Sequence, residues 1–137
     1  MQVEYTEFLA AKHVAAPDAG FEPDVSAFPA AMFPYQRDIV AWALRKGRCA
    51  LMTDTGTGKS IMQLTWAQAV CDHTGGDVLI LTPLIVARQT VAEGVRFGIN
   101  VTFCREQADV RPGPNGATPD RLLLLDTTHF VGIVLDE

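Results

Sequence analysis

Ala50-Leu51-Met52-Thr53-Asp54-Thr55-Gly56-Thr57-Gly58-Lys59-Ser60 is an apolar run that passes into a glycine-rich loop ending in Lys-Ser. A loop of this build can cradle phosphate. Gly56 and Gly58 allow left-handed dihedrals and carry no Cβ to block an anion. Successive N–H groups from Thr55 to Ser60 then converge at the N-terminus of the next helix, whose dipole favours negative charge. In such a loop Lys59 reaches the β- and γ-phosphates of a nucleotide, and the Ser60 hydroxyl holds Mg²⁺. One position departs from the signature, since Thr53 stands where its first glycine falls. The competing reading is an ordinary strand–turn–helix. The apolar run before the loop and the helical pattern after it favour the phosphate loop.

The chain has 137 residues, 48% of them hydrophobic and 20% charged, which fits one folded domain with a real core. No apolar run approaches the ~20 residues of a membrane helix, and the start, Met-Gln-Val-Glu-Tyr, lacks the pattern of a signal peptide. Three cysteines, Cys49, Cys71 and Cys104, form no Cys-x-x-Cys pair. They are expected to be small core residues in a reducing cytoplasm, bacterial or phage-infected. The net charge of −5 is no electrostatic footprint for nucleic acid. Any such binding has to rest on local groups. His13, His73 and His129 lack metal-ligand spacing.

Taken in order, residues 1–12 read as a short helix with Tyr5, Phe8 and Leu9 at helical spacing. From Ala15 to Pro34, five prolines and glycines punctuate a surface linker pinned by Phe21 and Phe28. A helix is expected from Pro34 to Lys46, ending at Gly47. A strand over Cys49–Thr53 leads into the loop, and an amphipathic helix runs from Lys59 to Gly75-Gly76. Asp77–Thr82 reads as a strand buried on both faces. A helix over Ile85–Gly94, a strand over Asn100–Cys104, a helical turn from Thr118 and a strand over Val131–Leu135 follow. Gly113-Pro114-Asn115-Gly116 is excluded as a central strand. Strand–helix alternation at this spacing predicts a parallel sheet in an α/β fold.

The last strand ends in Asp136-Glu137. A carboxylate at the C-terminal end of a parallel strand stands beside the phosphate loop, because that edge of the sheet collects the ligand. Asp136 would hold Mg²⁺ through its water shell, and Glu137 would polarise the water that attacks the γ-phosphate.

Thr-Gly-Thr-Gly-Lys-Ser (55–60), Leu-Thr-Pro-Leu (81–84) and Val-Leu-Asp-Glu (134–137) together resemble motifs I, Ia and II of the first RecA-like domain of a superfamily-two helicase. Phe33-Pro34-Tyr35-Gln36-Arg37 is similar to that family's Q motif. The wording looks closest to phage or prophage helicases akin to the Swi/Snf-type translocases. The resemblance spans Tyr5 to Glu137 and implies a P-loop NTPase, a three-layer RecA-like sandwich with a parallel sheet, incomplete at its C-terminus after motif II. By it, residues 1–33 are an N-terminal helix and Pro-rich linker, and 34–137 a partial ATP-binding domain.

The resemblance implies that Lys59, Asp136 and Glu137 are catalytic and that Gln36 reads adenine, with Phe33 or Tyr35 packing on the base or in the core. Thr82 and Pro83 of motif Ia, with Thr118 and Arg121 of a motif Ib-like Thr-Pro-Asp-Arg, would contact DNA or RNA. Thr82 can equally cap the next helix. Asp120 stands where motif Ib has glycine, and an acid there would repel phosphates. Arg88 and Arg96 read as a solvated helix face. ATP, Mg²⁺, nucleic acid and a second RecA-like domain supplying arginine fingers are the implied partners, with no membrane among them. Without those fingers the chain should bind ATP better than it hydrolyses it. The family's strand after motif II lies between the phosphate-loop and motif II strands, so Cys49–Thr53 and Val131–Leu135 are expected to flank a gap. A P-loop kinase or signalling ATPase is one alternative, and a non-catalytic nucleotide-binding remnant is another.

Overall fold

Strongly apolar, β-branched Asp77–Leu81 becomes the strand around which the other elements assemble. The computed structural model describes residues 2–12 and 16–136, which leaves His13 and Glu137 outside the described residues. Its helices are α1 (Gln2–Lys12), α2 (Pro34–Lys46), α3 (Lys59–Thr74) and α4 (Leu84–Phe97), and its strands β1 (Asp77–Leu81), β2 (Thr102–Phe103), β3 (Pro114–Ala117) and β4 (Phe130–Leu135). All pairings are parallel, in the order β2-β3-β1-β4. Leu81 sits in register with Ala117 on one side and Leu135 on the other. The architecture is therefore mixed α/β, a four-stranded parallel sheet flanked by helices.

Alternation along β1 divides the core. Val78 and Ile80 pack with Val40 and Leu44 of α2, Leu64 and Ala67 of α3, and Val91 of α4. Leu79 and Leu81 face Cys104, Ala117, Leu125 and Phe130. Short 3-10 turns at Gln107–Asp109 and Pro119–Leu124 border this second cluster. Val78, Leu79 and Ile80 are each 0% exposed, as a strand covered on both faces requires. Trp66 of α3 lies over Gly132, where an added Cβ would come within 3.1 Å of the indole. No helix among the described residues is long and apolar enough to cross a membrane.

α2 has the expected bounds, with Pro34 in its first turn and Gly47 at its end in the left-handed region, φ 78°. The segment before it is docked. Backbone N–H groups of Ala19, Gly20 and Phe21 donate to the carbonyls of Lys46, Arg45 and Leu44, meeting acceptors that a helix end leaves open. A side chain at Gly20 would overlap the Leu44 carbonyl oxygen. Arg37 donates to the carbonyls of Val25 and Pro29, and Phe28 and Met32 enter the core. α1 forms as expected, but Tyr5, Phe8 and Leu9 are exposed.

Five sequence-based expectations need correction. Cys49–Thr53 forms no strand; it has no ladder partner among the described residues, and Cys49 to Met52 are exposed. An exposed extended segment without a partner leaves its backbone groups to water and gains no ladder bonds. Conversely, Pro114–Ala117 is an interior strand between β2 and β1. Pro114 is its first residue, where a missing N–H is tolerated, and Asn115 anchors it. The buried Asn115 Nδ2 donates to the carbonyls of Arg111 and Gly113, while its Oδ1 accepts from the Arg111 N–H at 3.0 Å.

The third correction is α4, which runs past Gly94 to Phe97 and stops at Gly98, φ 74°. Gly94 is there for closeness, not termination: a Cβ would press on the Ile99 carbonyl oxygen. The fourth is Cys49, which is exposed, unlike Cys71 and Cys104. The strand expected over Asn100–Cys104 shortens to Thr102–Phe103.

Candidate functional site

Gly56 and Gly58 adopt φ of 78° and 79°, and Gly58 caps α3 from the left-handed region. The loop before them closes on itself. Asp54 accepts a bond from the Thr55 N–H, and the Thr57 hydroxyl donates to the Asp54 carbonyl at 2.8 Å. Lys59 opens α3 with an exposed side chain, and Ser60 beside it is half-buried. Among the described residues no ion pair engages Lys59.

Gln36 is 4% exposed and wedged between α2 and the loop. Its Oε1 accepts from the Phe33 N–H and its Nε2 donates to the Thr57 carbonyl, both at 2.9 Å. The Tyr35 hydroxyl donates to the same Thr57 oxygen at 2.9 Å. Gly58 has a second reason to be glycine, since a Cβ would overlap Gln36 Nε2. The structure thus joins Gln36 to the loop through contacts the sequence did not announce. An amide oxygen has two lone pairs, and one remains for an outside donor. The rings of Phe33 and Tyr35 stack at 6.1 Å and 9° beside this contact, 63% and 46% exposed, so neither serves core packing.

Asp136 extends the β4 ladder, its N–H donating to the Leu81 carbonyl at 2.9 Å. Its Oδ2 accepts from Gln63 Nε2 at 3.2 Å. Gln63 comes from α3, four residues beyond Lys59, and so links the loop's own helix to the strand that ends in Asp136. Sequence reasoning missed it. Its only signal was helical spacing, which sets residues four apart on one face. Glu137 lies outside the described residues.

Thr82 and Thr118 follow neighbouring strands β1 and β3, and both are buried. Thr82 donates its N–H to the Ala117 carbonyl. It does not cap α4, whose N-cap is Pro83 with no side-chain cap bond. Arg121 pairs with Asp120 at 3.3 Å. Asp120 is held below the usual carboxylate range, chiefly by a hydrogen bond from Thr118.

Beside them runs a groove of about 420 Å³ between α4 and the ends of β2 and β3. Ala87, Val91 and Phe103 give it an apolar side, and Arg88, Arg105 and Arg121 contribute three guanidinium groups against one carboxylate, Asp120. The side chains of Arg88 and Arg105 make no ion pair among the described residues. In a chain of net charge −5 this is a local positive focus.

Two histidines have local partners. His129 Nε2 lies 2.7 Å from Asp77 Oδ2, and His73 stacks on Phe21 at 3.8 Å. Burial pushes the Cys71 and Cys104 thiols up to about 11. No cluster of three or more metal-ligating side chains occurs among the described residues. No protein-family model, curated protein or solved structure matches the chain.

Proposed function

We propose that the chain is a P-loop, RecA-like domain that binds Mg·ATP, the nucleotide-binding part of a nucleic-acid-dependent ATPase such as a helicase or DNA translocase. One observation carries this reading. A loop with two left-handed glycines opens α3, and that same helix is hydrogen-bonded through Gln63 to Asp136, the carboxylate ending the adjoining parallel strand. The loop amides and Lys59 would bind the phosphates, and Gln36, with the exposed Phe33–Tyr35 pair, would border the base.

The donors suit Mg²⁺. With no three-ligand cluster among the described residues, an ion would rest on one hydroxyl, one carboxylate and the nucleotide's own phosphates, which is how Mg²⁺ is usually held. Ser60 and Asp136 are those donors, and Mg²⁺ would neutralise charge on the phosphates. Glu137 is proposed, from its position after Asp136, to orient the attacking water. Free thiols at Cys49, Cys71 and Cys104 accord with a reducing cytoplasm.

The nucleic-acid partner is supported by the arginine-rimmed groove at the ends of β2 and β3, next to Thr118. It sits at the sheet edge that also carries Thr82 and Asp136.

Titration calorimetry with ATP and Mg²⁺ tests the proposal. The parent chain should bind, and Lys59→Ala should weaken binding about tenfold or more, because a phosphate loses its charge-assisted partner. The melting curve should not move, since Lys59 is exposed. Equal affinity in parent and variant overturns the assignment of the loop.

A further inference from the structure

We propose that Gln63 is a positioning residue that fixes the Asp136 carboxylate for a divalent cation. The inference rests on reading the loop as a Mg·nucleotide site, and it names a residue for which that reading provides no role. Asp136 is tied at its backbone, its N–H bonded to the Leu81 carbonyl at 2.9 Å, but this leaves its side chain free to rotate. Among the described residues Gln63 Nε2 is the side-chain partner that stops the rotation, at 3.2 Å from Oδ2. The bond occupies one carboxylate oxygen and leaves Oδ1 for a hydrated ion.

The chemistry of the donor matters as much as its place. A carboxamide donates a hydrogen bond without adding charge, so Asp136 keeps its full negative charge for the cation. A lysine or arginine at position 63 would hold the carboxylate and also repel the ion. Gln63 stands one helical turn beyond Lys59, and α3 begins at the loop itself. The phosphate cradle and the side chain that holds the carboxylate therefore ride on one rigid element, and the Gln63 bond ties Asp136 of the neighbouring strand end to it. Trp66, one turn further along α3, rests on Gly132 and fixes the helix against β4.

The test uses fluorescent mant-ADP with the 137-residue chain, titrated in EDTA and across Mg²⁺ concentrations. Gln63→Leu should leave metal-free affinity alone and raise the Mg²⁺ midpoint about ten- to a hundredfold, as expected for losing the partner that orients a metal-ligating carboxylate. Combined with Asp136→Asn, it should add nothing to the Mg²⁺ defect of Asp136→Asn alone. An unchanged Mg²⁺ midpoint, or fully additive defects, overturns the proposal.

Should Gln63→Leu fail to fold, the side-chain amide resonance of Gln63 in the parent chain decides. It should shift on Mg²⁺ addition and in Asp136→Asn, and a resonance that stays put under both overturns the proposal. Nucleotide affinity in EDTA reports on the loop separately. A chain that binds no mant-ADP under any condition refutes the loop, while the Mg²⁺ response of the Gln63 amide still judges the pair.

Discussion

At the scale of single residues, Gly58 carries two constraints that a sequence shows only in part. Its φ of 79° could be anticipated from the Gly-x-Gly-Lys-Ser pattern; the Gln36 amide against its α-carbon could not. Gly58→Ala should accordingly cost more than the roughly 1–2 kcal/mol of a left-handed alanine, read by urea denaturation. Gln36→Ala strips the partner from the Phe33 N–H and leaves the Thr57 carbonyl with the Tyr35 hydroxyl alone, so it should destabilise by about 1–3 kcal/mol. If Gln36 also borders adenine, the same change erodes the preference for ATP over GTP. A stability loss with the preference intact would confine Gln36 to its structural contacts. Thiol labelling gives an independent check: Ellman's reagent should react first at exposed Cys49, while burial keeps Cys71 and Cys104 protonated and covered until urea is added. Lys59, Ser60 and Asp136 are candidates that local pattern alone proposes. Gln63 is not one of them, because its partner lies 73 positions away and a helical glutamine carries no signature of its own.

At the scale of elements, what could be read depended on where the hydrogen bonds go. α2 and β1 have local signals at both ends and fall where expected. β3 has none, since Pro-Asn-Gly-Ala lacks strand propensity and is held by the long-range ladder and the side chain of Asn115. Asn115→Leu keeps the branching but takes the side-chain partner from the Arg111 N–H and carbonyl, while the Gly113 carbonyl keeps the Val78 N–H. The expected loss is about 2 kcal/mol or more by denaturant melt, with one unsatisfied buried group costing roughly 1–3. A change within 0.5 kcal/mol, the range of ordinary surface substitutions, would refute the anchoring role. The apolar run at Cys49–Thr53 shows the converse failure: its composition suits a strand, yet among the described residues no neighbour completes it. Among the described residues β4 pairs on one side only, with β1. In hydrogen exchange, amides of Val131–Leu135 should therefore exchange faster than those of Leu79 and Ile80. Equal protection in a monomer would mean that the outer edge of β4 is covered.

At the scale of the molecule, charge and apolar surface are unevenly spread. Arg88, Arg105 and Arg121 concentrate positive charge in one groove of an acidic chain. For a single-stranded oligonucleotide, the Arg88→Gln/Arg105→Gln pair should lower the slope of log affinity against log salt by about 2, one per phosphate contact. An unchanged slope would remove the groove from the nucleic-acid interface. Leu51, Met52, Val131, Ile133 and Leu135 are all more than two-fifths exposed, on β4 and the unpaired segment before the loop. An unpaired strand with apolar flanks is prone to self-pairing. Sedimentation should show association growing with concentration, and Ile133→Lys should suppress it.

The carboxylate of Asp77 also sets a timetable. It bonds the Gly113 N–H and His129, partners 36 and 52 positions further along the chain. Both neighbours of β1 thus emerge from a ribosome only after it has, by several seconds at roughly 5–20 residues per second. A strand buried from Val78 to Leu81 is the one that must wait with both edges bare. During that interval α2 and α3, already synthesised, can shield only one of its faces, and the other awaits Leu125 and Phe130. A nascent chain paused between Leu81 and Gly113 is thus the species that chaperones should hold most avidly.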